Sequence, residues 1–309
     1  VPATRTAEAP SAESRPIPAT SRTFARAFAD IRGGMREREL WSHLGWQDIK
    51  QRYRRSVIGP LWITLSMAIT AIALGLLYSQ LLGASIGTFL PYITVGFIVW
   101  QFMLGCLTEG ADTFIANEGL IRHLPAPLTL YSFRTAWRQV LLFAHNLLVY
   151  FVVVAIFWSD VTQPGYTLSA GGQQQPGLDW TILLAVPAFV VLAFNGVWVS
   201  LLFGVISTRF RDIPPVINAL TNLLFFMTPI VWTTDLLTRH FGDAAGGSWR
   251  ILIAELNPLY HYIQILRAPL IGGVQSWHHW AVVGGLTVVG WGLALLVLRN
   301  YRSRVSYWV

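Results

Sequence analysis

The residues with the most chemistry to offer crowd into one short stretch, "DIKQRYRRSVIGPLW", Asp48 to Trp62. Lys50, Arg52, Arg54 and Arg55, with Tyr53 among them, stand directly before an apolar run. Guanidinium groups suit bidentate contact with phosphate, so the cluster reads first as an anion contact, on nucleic acid or on lipid headgroups. Other reactive groups are few. His145 is the one titratable side chain well inside an apolar run, and with Asn146 beside it reads as a hydrogen-bonded packing residue. His278 and His279 are adjacent, with no carboxylate cluster close to them in sequence, so no metal site is expected. The acids Asp160, Asp179, Asp235, Asp243 and Glu255 are scattered, and no catalytic pair is expected from them. A nucleotide-binding P-loop needs Gly-Lys followed by Ser or Thr. The sole lysine, Lys50, follows Ile49, so any ATP must be bound by another subunit.

The elements that must position these residues follow from composition. The chain is 54% hydrophobic and 12% charged, about half the charge of a soluble domain. Its 14 Trp and 17 Phe fit a protein whose solvent is lipid. One cysteine, Cys106, excludes an intrachain disulfide or a cysteine zinc site.

Residues 1–30, rich in Ala, Pro, Ser, Thr and Arg, read as a disordered cytosolic tail without a secretory signal. Residues 31–58 read as an amphipathic interface-helix region, 59–299 as the membrane domain and 300–309 as a cytosolic C-terminal tail. The first span is Gly59 to Leu82, and further spans are expected at 88–108, 136–158, 180–206, 214–233 and 280–298. Each is close to the roughly 20 apolar residues that cross a bilayer as a helix. Nineteen of the 22 basic residues fall in the segments that six spans place on one side, and the other three are Arg239, Arg250 and Arg267. The positive-inside rule then puts both termini in the cytosol. The expected class is an all-α integral membrane protein of six transmembrane helices.

Around the opening stretch, Trp46, Ile49, Tyr53 and Val57 share one helical face, the pattern of an interfacial helix with arginine at the headgroups. Gly45 is expected to separate it from "RERELWSH". With no soluble domain to present the patch, nucleic acid is not an expected partner. Between spans two and three, Phe114, Ile115, Leu120 and Ile121 punctuate a polar stretch that Pro125 and Pro127 terminate, giving a short cytosolic helix or a plain connection. Residues 234–279 mix short apolar runs with Gly, Pro and charge, and read as re-entrant outer helices or a folded loop.

Three stretches carry a resemblance. "DIKQRYRRSVIGPLW", "ANEGLIRHLPAPL" and "NPLYHYIQILRAPLIGG" together resemble the permease subunits of type-2 ABC exporters that move polysaccharides of the O-antigen, teichoic acid and galactan kind. The likeness covers roughly residues 35–300. A departure is "LIRHLPAP", where many relatives carry Lys-Val and an aromatic before the first proline, and this touches the details of partner docking. The resemblance implies a homodimer in the bacterial inner membrane, served by two cytosolic ABC ATPase subunits that hold the ATP and Mg²⁺. The chain itself would need no cofactor. It implies a coupling helix over Asp112–Arg122 (Asp112, Phe114, Asn117, Glu118, Leu120, Arg122). It also implies an interface helix whose Lys50, Arg52, Tyr53, Arg54 and Arg55 meet lipid and a substrate pyrophosphate. Trp62, Tyr78, Phe225, Phe226, Trp232, Asn257 and Arg267 become pore or gate candidates. The implied cargo is a polyprenyl-pyrophosphate-linked polysaccharide. A multi-pass glycosyltransferase or ligase on the same carrier, or an ABC drug or lipid exporter, is the alternative.

Overall fold

The computed structural model describes residues 22–52, 54, 59, 61–123, 126–234 and 248–309, with the side chains of 248–251 excepted. Tyr53, Arg55, Val57 and Pro125, together with Asp235, Arg239 and Asp243, lie outside the described residues, and so does most of the expected tail. Among the described residues the regular structure is helical apart from one two-stranded hairpin, joined by turns and irregular chain.

Two helices precede the first span, α1 (Phe24–Arg36) and α2 (Arg38–Arg52). The Thr23 side chain opens α1 by accepting from the Arg26 N–H at 3.4 Å. Residues 24–30, assigned to the tail from composition, are therefore helical. The reason is tertiary: Asp30 is 3% exposed and its carboxylate caps another helix. Nor does Gly45 break the chain, because α2 runs straight through it. A Cβ there would meet Trp137 Cδ1 at 3.0 Å and the Arg134 carbonyl at 3.4 Å, so glycine serves close approach between helices.

Five long apolar helices follow the lengths a bilayer asks for. They are α3 (Leu61–Leu81), α4 (Ile86–Ala111), α6 (Leu128–Ile156), a helix opened by a 3-10 turn (Trp180–Leu184) and continuing as α8 (Ala185–Arg209), and α12 (Trp277–Trp308). Helix α4 is central and buried almost all round, touching α3, α6 and α8. Helix α3 buries only one stripe, Met67, Ala71, Gly75 and Ser79, at four-residue spacing against α4. Small side chains there let the two backbones approach. A Cβ on Gly75 would fall 2.6 Å from Leu90 Cδ1.

The remaining expected span, 214–233, is shorter than its hydropathy suggests. Helix α9 (Ile213–Met227) has 15 residues, a rise of about 22 Å against a hydrocarbon core of about 30 Å. Thr228 and Pro229 end it, and the apolar Ile230 and Val231 continue as buried non-helical chain. Beyond the undescribed residues come α10 (Ser248–Leu256) and α11 (Pro258–Ile271). Helix α11 is not a surface loop: it is buried along most of its length among α4, α8 and α12. Asn257 caps it, accepting from the Leu259 N–H at 3.0 Å. Gly272 ends it at φ 66°, where a Cβ would fall 2.1 Å from the carbonyl carbon of Gly177.

The bundle has two unlike ends. One gathers α1, α2, the short α5 (Glu118–His123) and the last turns of α12. The other holds α7 (Trp158–Thr162), the antiparallel pair β1 (Tyr166–Thr167) and β2 (Gln174–Gln175), and the Gly272 turn. These elements interlock: Thr88 donates to the Thr167 carbonyl at 3.2 Å, Val274 N–H to Gln175 Oε1 at 3.1 Å, and Tyr166 to the Ile271 carbonyl.

Candidate functional site

At the basic end, an ion-paired collar joins the interface helix to the α4–α6 connection. Asp48 of α2 receives Arg134 Nε at 2.9 Å and, through its other oxygen, Arg134 Nη2. The first of those oxygens also takes Arg138 Nη1 at 2.9 Å. Arg138 reaches on to Glu109 at 2.6 Å, and Glu109 also pairs with Arg52 at 3.1 Å. Gln139 donates to the same carboxylate. Arg134 Nη1 meets Asn117 Oδ1 at 3.0 Å, linking the collar to the connecting segment. The inner pairs are about one-sixth exposed, so solvent screens them less than it does a surface pair.

A second buried carboxylate ties α1 into the same end. Asp30 accepts from the Leu128 and Thr129 N–H groups at 3.3 and 3.0 Å, capping α6 from another helix. Arg302 of α12 neutralises it at 2.6 Å.

The connecting segment is not one helix from Asp112 to Arg122. Residues 112–117 are turns and α5 begins at Glu118. Phe114 is fully buried, its ring edge-on to Tyr131 at 6.4 Å and packed where a Cβ on Gly204 would fall 2.9 Å away. Asn117 Nδ2 donates to the Thr113 carbonyl at 2.7 Å, and Thr113 shares a hydroxyl bond with Thr135 at 2.8 Å. Phe114 and Asn117 thus anchor the segment, while Asp112, Leu120 and Arg122 are exposed and Glu118 is intermediate. Glu118 and Arg122 pair at 2.8 Å, and Arg122 Nε also holds the Val309 carbonyl at 3.0 Å. Partial burial, and then the nearby Glu109 charge, raise the Asp112 carboxyl above its ordinary range.

Of the basic cluster, Lys50 and Arg54 are exposed, and Arg52 is half-exposed while paired with Glu109. Between α3, α4 and α6 a cavity of about 330 Å³ opens near Arg52, lined by Ser66, Thr70, Thr108, Gln101 and Asn146 as well as apolar groups. The His145 Nδ1 lies 2.7 Å from the Leu141 carbonyl, a packing contact within α6.

The pore and gate candidates do not converge on one site. Trp62 (52% exposed) and Phe226 (69%) face outward, and Tyr78 packs partly against the core. Phe225 packs on Phe97 and Trp100, centroids 5.7 and 5.6 Å away. Trp232 does join Arg267, through Tyr92. The Tyr92 hydroxyl donates to the Trp232 carbonyl at 2.9 Å, and the Arg267 guanidinium lies 3.9 Å over the Tyr92 ring. Arg267 is 0% exposed; its Nη1 donates to the Pro229 carbonyl at 2.8 Å, while Nε and Nη2 meet no partner among the described residues. Asn257 bonds Thr228 Oγ1 at 2.7 Å, fixing α11 to the end of α9.

The structure also brings the histidines together with an acid that lies apart from them in sequence. Folding brings Glu255 Oε2 to 3.0 Å from His278 Nε2, and His261 to 2.8 Å from His279. Spacing along the chain hid this cluster, because its members come from three helices.

Fold and site define a polytopic helical membrane protein with an ion-paired collar at one end and a buried arginine toward the other. The chain matches the ABC-2 type transporter family over residues 39–271 and belongs to it. It is 24% identical over 260 residues to an O-antigen export system permease protein RfbA of Klebsiella pneumoniae, covering 83% of this chain and 90% of the relative. A second RfbA from that species is 23% identical over 258 residues, covering 83% and 90%. The RfbA of Myxococcus xanthus is 24% identical over 229 residues, covering 72% and 78%.

Proposed function

We propose that this chain is the permease subunit of an ATP-driven exporter that carries a polyprenyl-pyrophosphate-linked polysaccharide from the cytosolic to the outer face of the bacterial inner membrane. The observation that carries this reading is similarity to O-antigen export permeases over most of both chains. The collar supports it. Two copies of the chain span the membrane six times each, the short α9 completing its crossing with residues 228–232, and each engages one cytosolic ATPase subunit. The ATPase docks on the exposed Leu120 and its neighbours. Closure of the ATPase pair on ATP displaces segment 112–123. Buried Phe114 passes that movement to α6 and α8, and the Asn117–Arg134–Asp48 bonds carry α2 with them. The spans therefore shift as rigid bodies. Arg52, which lines the α3–α4–α6 cavity, and the exposed Lys50 and Arg54 near it in sequence attract the pyrophosphate, and the hydroxyl and amide lining takes the first sugars.

The glycosyltransferase alternative gains nothing from the geometry. Asp160 lies over the first turn of α4 beside Gly87, Asp179 caps the 3-10 turn, and Glu255 pairs with His278. No two of these described acids face each other across a site.

The test is reconstitution of the permease and its ATPase in vesicles holding the lipid-linked polymer. ATP-dependent delivery to the far leaflet is expected. Leu120→Asp is expected to abolish it while leaving the permease folded and inserted. No delivery by the intact pair, with an active ATPase, overturns the reading.

A further inference from the structure

At the end opposite the collar, Glu255 closes α10, His261 stands in the first turn of α11, and His278 and His279 open α12. Glu255, His261 and His278 each offer one ligand atom, and these atoms lie within 4.8 Å of one another. We propose that they form a zinc site of three protein ligands, with His279, hydrogen-bonded to His261 at 2.8 Å, beside them.

Donor chemistry selects the ion. Imidazole nitrogens with one carboxylate oxygen suit Zn²⁺, whereas Mg²⁺ and Ca²⁺ prefer oxygen alone. The His261 tautomer is set by its surroundings. Its Nε2 sits 2.7 Å from the Glu255 main-chain carbonyl, which can only accept, so Nε2 carries the proton; the Nδ1 lone pair accepts from His279 Nδ1–H at 2.8 Å and turns to the metal when one enters. A ligating histidine held by a carbonyl through its other nitrogen is the usual outer-shell support. Ligand atoms around one tetrahedral zinc stand about 3.3 Å apart, so the present spacing asks for a modest inward turn. The His278 side chain, 58% exposed, and Glu255, 32% exposed, are free to make it, while His261 is fixed in the core at 1%. Exposure on that side also provides the entry path. Binding replaces the proton shared between His278 and Glu255 and fastens the α10–α11 corner to the start of α12, across the Asn257 cap.

The site is independent of the export reading, since binding is measured on the permease alone. Co²⁺ serves as the probe, titrated into tag-free full-length protein in nanodiscs. One equivalent is expected to give the visible bands of tetrahedral cobalt, and one equivalent of Zn²⁺ to bleach them. His278→Gln and Glu255→Gln, both at accessible positions, are each expected to weaken Co²⁺ binding at least about tenfold with the thermal midpoint of the metal-free protein unchanged. Absence of bands at one equivalent overturns the proposal. So do bands that survive in a His278→Gln/His279→Gln double variant.

Discussion

Arg267 is the residue whose energetics are least balanced. Its charge is fully buried, with one hydrogen bond and the face of Tyr92 as compensation. A cation–π contact of this kind is worth roughly 2 kcal/mol when desolvated, whereas burying an ion costs several. Arg267→Met is therefore expected to stabilise the fold by about 1–4 kcal/mol, seen as a higher thermal midpoint in detergent, while ATP-stimulated export falls. A lower midpoint would mean that the guanidinium is net favourable where it sits. In the sequence Arg267 is singled out only by the family resemblance; its burial is not, because the segment around it mixes Pro, His and charge. Asn257 was named only as a gate candidate, and its role as a cap comes from the structure. The ion-pair partners of Asp30, Asp48 and Glu109 were not legible, since each binds residues tens of positions away.

Between elements, the collar is the feature that distinguishes docking from mere packing. Asp48 and Arg134 share two hydrogen bonds on low-exposure faces of α2 and α6. Asp48→Asn and Arg134→Gln, singly and together, are expected to show a coupling of about 0.5–3 kcal/mol in a double-mutant cycle followed by denaturation in mixed micelles. Strict additivity would show that the pair does not hold the two helices together. The apolar runs that became long helices were readable from hydropathy. Their ends were not. At 228–232 the chain stays apolar while leaving the helix, so hydropathy cannot see the stop at Thr228 and Pro229. Gly45 misled for the opposite reason, since glycine breaks helices on average but here permits contact with Trp137.

Across the whole molecule, apolar faces look outward on several helices, among them Leu65, Ile69 and Leu76 on α3 and Leu220, Leu223 and Phe226 on α9. If these line a homodimer axis, then in a Cys106→Ala background Ile69→Cys or Leu223→Cys should cross-link two copies on oxidation, and Val289→Cys on α12 should not. Cross-linking through Val289 alone would place lipid on α3 and α9 and the partner elsewhere. The crowding of basic residues outside the apolar runs was legible in the sequence because lipid disfavours charge within a span. The burial of α11 was not, since its Pro, Arg and His content resembles that of a surface loop.

The Asp30 contacts also have a meaning in time. Ribosomal synthesis delivers this carboxylate first, the α6 N–H groups it caps about a hundred residues later, and its counter-charge Arg302 272 residues after it. Until Arg302 emerges, the Asp30 carboxylate lacks the counter-charge it has in the folded chain. A nascent chain halted before Arg302 should consequently be cleared by quality-control proteases faster than one halted after it. Equal lifetimes would show that the clasp plays no part in maturation.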